Sequence, residues 1–334
     1  MRAWLLDSLA GIDKLRLADV PDPTPAPGEV VLDVHLAALN PADRYLAEGQ
    51  YPARPPMPHI LGRDGAGVVS AVGPDLPTLP GMPPVRPGDR FAVLRGETGV
   101  SRWGTFAQRV AVPVESLVPL PPGWSEEQAA GATLVYLTAY QALTNWPDLP
   151  PRATVLVTGA SGGVGVASVQ LSAAMGHTVI GLSRDEQKRQ RVKELGAGAV
   201  FDPADKTWRR AVKELTNNRG VDLAIDNIGG TLLPEVIDTL GYNGRVSLVG
   251  RLAGPVPQFN TATMFFRRLK MGGVAVGTYS NTEARAAWST ILALLSGIGA
   301  RPLVDKVFPL EILPQAFDHL ARGPMGKVLL RVKA

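Results

Sequence analysis

Apolar positions in the first third of the chain come at alternate residues or in short runs. The segments GEVVLDVHLAAL (28–39) and GAGVVSAVG (65–73) show this most clearly. Turn-forming groups (APGE, VGPD, RPGDR, LPPGW) recur about every ten residues, as short antiparallel strands require. Residues 1–123 are therefore predicted as a β-rich, barrel-like domain. The stretch PDLPTLPGMPPVRPGD (74–89) is too Pro-rich for regular structure and is expected to be a loop.

The pattern changes at Ser125. SEEQAAGATLVYLTAYQAL (125–143) opens with Ser-x-x-Gln, a capping box, and continues at helical spacing. Strands and helices then alternate. ATVLVTG, TVIGLS, AVF, VDLAIDNIG, GRVSLVG and MGGVAVG read as strands. GVGVASVQLSAAMG, RDEQKRQRVKELGA, WRRAVKELTNNRG and LLPEVIDTLGYN read as the helices between them. Regular alternation with apolar strands predicts an α/β fold, a Rossmann-type doubly wound parallel sheet, over residues 124–279. In the closing segment, 280–334, TEARAAWSTILALLSG reads as a helix, and LVDKVFPLE and GKVLLRVKA as strands that return to the first domain. No internal repeat is evident.

The stretch VTGASGGVGVASVQLSAAMG (157–176) joins a strand to a small-residue helix through a Gly-rich turn. Backbone N–H groups left free at such a helix start, together with the helix dipole, favour a phosphate. The G-x-G-x-x-G spacing falls on Ala160, Gly162 and Gly165, so its first glycine is Ala. Gly159 and Gly163 flank it and supply the permissive turn, with Ser161 and Val164 between. After a strand and inside a βαβ series, this loop predicts a dinucleotide. NAD-type sites carry an acid at the end of the second strand, where this chain has Ser183 followed by Arg184. Lys188 lies one helical turn beyond Arg184, so both cations can meet a 2′-phosphate, and NADPH is the expected cofactor. Two alternatives stand beside this: Ser183 caps the next helix with Glu186, or Asp185 serves NAD. Asn227 and Gly250, at the ends of later strands, complete the expected cofactor set.

Composition narrows the chemistry. The chain has no cysteine, which removes disulfides, thiol nucleophiles and thiolate zinc sites. Its four histidines, His35, His59, His177 and His319, show no paired ligand spacing, and no metal is expected. Net charge is +4, yet the basic residues are interleaved with acids or form the short run RRLK, so no nucleic-acid partner is expected. No window approaches ~18 uninterrupted apolar residues, so no membrane partner is expected either. The opening MRAWLLDSLAG lacks an apolar core of signal-peptide length, and a cytoplasmic protein is the expectation.

An ordered set of segments carries a resemblance over nearly the whole chain. It comprises PGEVVLDVHLAALNPADRYLAEGQYP, GRDGAGVVSAVG, RPGDRF, GTFAQRVAVP, LTAYQAL, GASGGVGVASVQLSAAMG, KELGA, GRVSLVG and GKVLLRV. The chain resembles the medium-chain dehydrogenase/reductase superfamily, in its zinc-free quinone oxidoreductase and enoyl reductase branch. The resemblance implies a GroES-like substrate domain, a Rossmann domain with a cleft between them, and a homodimer. Zinc-using relatives carry Cys in the segment matching ALNPAD and His-Glu in that matching LGRDG, where this chain has Asn40 and Arg63-Asp64. Quinone oxidoreductases carry Asn and two Tyr at the spacing of Asn40, Tyr45 and Tyr51. Tyr51 is accordingly expected beside a substrate carbonyl, where a phenol stabilises developing negative charge. Tyr45 is either part of that set or core packing, and Tyr136 either lines a pocket or packs its helix. Arg63 contacts substrate, contacts the cofactor diphosphate or pairs with Asp64. Thr138 is placed near the nicotinamide by resemblance alone. Some relatives carry a Tyr after the third Rossmann strand, where this chain has Pro203, which leaves more of the 2′-phosphate contact to Arg184 and Lys188. The expected activity is NADPH-dependent reduction of a small-molecule electrophile, a quinone or an α,β-unsaturated carbonyl (enone), without zinc. Enoyl-thioester reduction and a non-catalytic, crystallin-like or RNA-binding role are the alternatives.

Overall fold

The computed structural model describes residues 1–94, 97–255 and 257–333. Its first stretch forms β1 (Arg2–Leu6), β2 (Arg16–Asp19), β3 (Glu29–Ala38), α1 (Pro41–Ala47), β4 (His59–Ile60), β5 (Asp64–Val72), β6 (Arg90–Val93), β7 (Arg109–Pro113), β8 (Leu117–Pro119) and α2 (Glu126–Ala130). Next come α3 (Thr133–Thr144), β9 (Thr154–Val157), α4 (Gly163–Ala174), β10 (Thr178–Leu182), α5 (Glu186–Glu194), β11 (Ala199–Phe201), α6 (Trp208–Leu215), β12 (Val221–Asp226), α7 (Leu232–Thr239), β13 (Leu240–Leu248), α8 (Ala262–Phe266), β14 (Lys270–Gly273) and α9 (Asn281–Gly297). The chain closes with β15 (Val304–Pro309), α10 (Leu313–Ala321) and β16 (Lys327–Arg331).

These elements make two compact units. Met1–Leu134, Tyr279–Ala286 and Pro302–Ala334 form the first, and Val135–Thr278 with Ala287–Arg301 the second. These limits differ from the expected boundaries at 123/124 and 279/280 in two places, each with a physical cause. Helix α2 packs on β3, β5 and β6, which carries the first unit on to residue 134. Residues 287–301 belong to the second unit, where Trp288, Ile291 and Leu295 are buried and the Arg301 carbonyl accepts from Gln170 Nε2 at 3.0 Å.

In the first unit, β3 is the central strand of an antiparallel array, pairing with β5, β7 and β16. Two register shifts along its pairing with β5 bend it, which lets apolar residues on both of its faces be buried. Gly67 on β5 is obligatory at this crossing: a Cβ there would lie 2.1 Å from the Asp33 carbonyl oxygen. The core beneath holds Trp4, Leu32, Phe91, Phe106, Phe317 and Leu330, with Phe106 and Phe317 edge-to-face at 6.0 Å. Each large side chain buried so fully contributes about 1.5–3 kcal/mol. Strands β15 and β16 extend this sheet, so of the closing segment the part from Pro302 onward joins the first unit.

In the second unit the six strands run in the order β11-β10-β9-β12-β13-β14. All five pairings are parallel. This is the doubly wound order of a Rossmann sheet, whose switch point lies between β9 and β12. Helix α4 is apolar almost all round and buried, whereas α5 buries only Val192, as its mixed charges imply.

Two local expectations are corrected. The run 125–143 is two helices: Gly131 ends α2, and a Cβ there would press on the Lys327 side chain at 3.2 Å. The capping box itself is present, Ser125 Oγ accepting from Gln128 N at 3.2 Å. Residues 240–243, expected to finish a helix, instead open β13, because Leu240 pairs with Val221. Among the described residues, no helix is long and apolar enough to cross a membrane.

Candidate active site

The phosphate loop begins where β9 ends. Gly159 takes a left-handed φ of +56°, which turns the chain towards α4. Ala160, at the first fingerprint position, is fully buried and donates its N–H to Leu182 O at 3.0 Å, so a methyl group fits there. Gly165 admits no side chain, since its Cβ would lie 2.1 Å from Gly159 O. Gly162 precedes the helix, and a Cβ there would meet only Gly159 O at 3.5 Å. The N–H groups of Gly163, Val164 and Gly165, in the first turn of α4, lack intrahelical acceptors and sit at its positive end. This cradle fits a dinucleotide diphosphate.

At the end of β10, Ser183 is buried and its hydroxyl meets Ser161 Oγ at 3.2 Å. The cap of α5 is Asp185, not Ser183: its Oδ1 accepts from Lys188 N at 2.9 Å. A short, polar residue one step before the helix satisfies its first N–H groups, and Asp185 occupies that step. The Arg184 side chain is exposed and has no hydrogen bond or ion pair among the described residues, while Lys188 is half-buried. Sequence reasoning missed Arg189. Its Nη1 reaches Ser183 O at 3.1 Å, Arg184 O at 2.7 Å and Asp202 Oδ2 at 3.4 Å, bracing the turn that presents Arg184.

The switch point is fastened by Thr158 and Asp226, which sequence reasoning also missed. Asp226 Oδ1 accepts from Thr158 Oγ1 at 2.7 Å, and its carboxylate takes the N–H of Gly229 at 3.0 Å. Asn227 donates from its amide to Thr158 O at 2.8 Å, and its own buried Oδ1 has no partner among the described residues. Gly250 must be glycine, because a Cβ would lie 2.4 Å from Asn227 O. An orphaned buried acceptor at the carboxyl end of β12 is what a ligand hydroxyl or carboxamide would satisfy. Thr138 is half-buried on α3. Tyr136 packs rather than lining a pocket: it is 1% exposed, donates to Gln170 Oε1, and its phenol is pushed well up by burial.

The first unit gathers Asn40, Asp43, Tyr51, Arg63, Asp64 and Lys327. Tyr51 is half-buried in the loop after α1, and Arg54 braces that loop by donating to the carbonyls of Gly49, Tyr51 and Ala53. Arg63 Nη1 donates to the Tyr51 hydroxyl at 3.1 Å, and its guanidinium carbon lies 4.3 Å from the ring centroid. Since the phenol oxygen accepts here, its own proton is left for another acceptor.

Of the three options for Arg63, pairing with Asp64 is not what occurs. Its Nε instead faces Asp43 Oδ1 at 3.7 Å. Asp64 is taken by Lys327 Nζ at 3.1 Å and Asn40 Nδ2 at 3.0 Å, and the Leu134 N–H reaches its other oxygen at 3.3 Å. Asn40 is 4% exposed, and its amide oxygen accepts from Lys327 Nζ at 2.7 Å. The structure therefore spends Asn40 on this buried cluster. Tyr45 is half-buried on α1. Asp43 and Lys327 carried no motif that would have singled them out. Among the described residues no group of three His, Asp or Glu is placed to hold a metal ion.

The chain matches the family model of the alcohol dehydrogenase GroES-like domain over residues 26–122 and that of zinc-binding dehydrogenases over 163–296. Quinone oxidoreductase of Sus scrofa is 28% identical over 333 residues, 99% of this chain and 97% of the relative. A quinone oxidoreductase-like protein 2 homolog of Nematostella vectensis is 30% identical over 311 residues, 91% of this chain and 82% of the relative. Among solved structures, an NAD-dependent alcohol dehydrogenase superposes with TM-score 0.88 at 30% identity over 100% of both chains. A mycobacterial protein solved with NADPH gives TM-score 0.88 at 27% identity over 99% of this chain and 100% of that one.

Proposed function

Since the chain belongs to the medium-chain dehydrogenase/reductase superfamily, in its quinone oxidoreductase branch, we propose that it is an NADPH-dependent reductase of a quinone or α,β-unsaturated carbonyl that works without zinc. The observation that carries this reading is the Tyr51–Arg63 couple, a phenol whose oxygen already accepts from a cation. Arg63 stands in the segment where, by the resemblance, zinc-using relatives carry a His, so a guanidinium takes the place of a metal ligand.

NADPH, when bound, supplies the hydride. The first turn of α4 holds the diphosphate, and the orphaned Asn227 Oδ1 accepts from the cofactor. Arg184, exposed on the turn braced by Arg189, meets the 2′-phosphate with Lys188 one turn on. Tyr51 donates its free proton as a hydrogen bond to the acceptor oxygen while that oxygen gains negative charge. Arg63, by donating into the same phenol, strengthens Tyr51 as a donor and steadies its ring. The test is NADPH oxidation by the wild type and Tyr51→Phe over quinones, enones, enoyl thioesters and aldehydes. Turnover of quinones or enones with loss in the variant supports the reading. Turnover confined to aldehydes or enoyl thioesters, or supported only by NADH, overturns it.

A further inference from the structure

Asp43 is the third residue of α1 and fully buried. Its Oδ2 accepts the Asn40 backbone N–H at 2.8 Å, which closes the start of the helix. Among the described residues its Oδ1 has no hydrogen-bond donor, and it faces Arg63 Nε, which likewise has no acceptor among them, across 3.7 Å. Closing a helix start from its third position needs only a side-chain acceptor, and a neutral amide serves there as a carboxylate does. A buried carboxylate is costly unless a cation shares the site. The cation here is a planar fork, in which the direction of Nε fixes the direction of Nη1. Nη1 is the atom that donates to the Tyr51 hydroxyl.

We propose that Asp43 is a positioning residue: its enclosed carboxylate anchors Arg63 through Nε and so keeps Nη1 on the Tyr51 hydroxyl and the guanidinium over the Tyr51 ring. This rests on the reading of Tyr51 as the group that meets the acceptor oxygen. Fully buried, Asp43 acts only through Arg63. The charged groups that face it are Arg63, from the segment before β5, Asp64, at the start of β5, and Lys327, on β16. Arg63 and Lys327 favour its charge and Asp64 opposes it, but burial outweighs them and pushes the carboxyl up to about 6. The anchor is therefore charged above that pH and neutral below it.

Asp43→Asn keeps the volume and the oxygen that closes the helix and removes the charge. Its enone turnover is expected to fall about ten- to a hundredfold, the loss that goes with misplacing a catalytic group by an ångström. NADPH affinity, read by fluorescence titration, should stay unchanged. Wild-type kcat should decline below pH 6, a limb that Asp43→Asn lacks and Asp43→Glu keeps. A readout independent of activity is phenylglyoxal labelling mapped by mass spectrometry. Arg63 should be protected in the wild type and labelled in Asp43→Asn. Arg285, held by the carbonyls of Val114, Glu115 and Leu117, should stay protected in both as the folding control. If Arg285 becomes labelled, Asp43→Gln, a neutral residue that closes a helix start from this position and matches Asp43→Glu in size, replaces Asp43→Asn with the same expectations. Full turnover, a retained acid limb and a protected Arg63 overturn the proposal. Labelling of Arg63 in the variant, in a protein whose wild type reduces no enone or quinone, upholds the anchoring and overturns the role given to Tyr51.

Discussion

Lys327 Nζ lies 3.1 Å from Asp64 Oδ2, a residue 263 positions earlier, and both side chains are buried. Its other N–H groups reach Leu39 O at 3.0 Å and Asn40 Oδ1 at 2.7 Å, so all three ammonium protons are used. β16 thereby fixes both the residue after Arg63 and the residue that starts α1. Such a pair adds little over an apolar replacement of both partners, but breaking it strands a charge. Lys327→Met should destabilise the protein by about 3–5 kcal/mol. Adding Asp64→Asn should return at least about 1 kcal/mol of that loss. Urea unfolding of the two single variants and the double variant measures the coupling, and strictly additive losses would contradict it.

The adenosine end of the cofactor site makes a selective prediction. Arg184→Ala should remove a charge-assisted contact to the 2′-phosphate worth about 1.5–3 kcal/mol, roughly ten- to a hundredfold in NADPH binding. NADH binding should hardly change. Titrating NADPH and NADH against the wild type and Arg184→Ala is the direct check. Equal weakening of the two would take Arg184 away from the 2′-phosphate.

The phosphate turn predicts the unselective counterpart. In Gly165→Ala the new methyl would stand 2.1 Å from Gly159 O and 2.7 Å from Ala160 Cα, both backbone atoms that cannot rotate away. The turn must move off the helix start, and NADPH and NADH should weaken together by more than about tenfold. Retained binding of either cofactor would show that the turn adapts.

The architecture was legible because its signals are local. Strand–helix alternation, the small residues of α4 and the mixed charges of α5 each follow from a dozen consecutive residues. The Gly-rich turn after β9 was legible for the same reason, and Gly159, one of the two flanking glycines expected to supply the permissive turn, takes the left-handed φ. What stayed hidden depends on distant partners. Asp43 has meaning only against Arg63, Lys327 only against Asp64, and Asp226 only against Thr158. Nothing near each residue in sequence records its partner. The break at Gly131 belongs here too, since it answers to the side chain of Lys327 rather than to helical propensity.

Asp43 also sets a stability prediction with a definite sign. Its folded carboxyl titrates at about 6 against an ordinary 3.8, so the folded state holds the proton more tightly than the unfolded one. Stability should therefore fall as pH rises from 4 to 6 and level off above, with no penalty below the unfolded value. A displacement of this size amounts to about 2–3 kcal/mol. Asp43→Asn should then raise the unfolding midpoint at pH 8 and match the wild type near pH 4. Thermal unfolding at both pH values tests this. A variant less stable at pH 8 would mean that the charged contact with Arg63 outweighs burial.

Tyr51→Phe isolates the hydroxyl. The ring keeps its place under Arg63, because that contact is made by the aromatic face and does not need the oxygen. Arg63 Nη1 loses its acceptor but remains on a side chain 11% exposed, so the guanidinium should stay near its present position. Stability should therefore change little, by about 1 kcal/mol or less for one partly buried hydrogen bond. Catalysis should change more. Removing one donor aimed at developing oxyanion charge typically lowers kcat by about 10²–10³, less where water takes its place. Enones should suffer most, since hydride arrival at carbon leaves an enolate oxygen that needs a donor. Quinones tolerate the change better, because their reduced form spreads the charge over an aromatic ring. NADPH affinity should be unaffected, since the hydroxyl is read as serving the acceptor oxygen and not the cofactor's phosphates. The measurement is kcat for one enone and one quinone, with NADPH titration, in the wild type and Tyr51→Phe. Equal losses for both acceptors would point to a role in holding the site's shape, and unchanged enone turnover would remove Tyr51 from the chemistry.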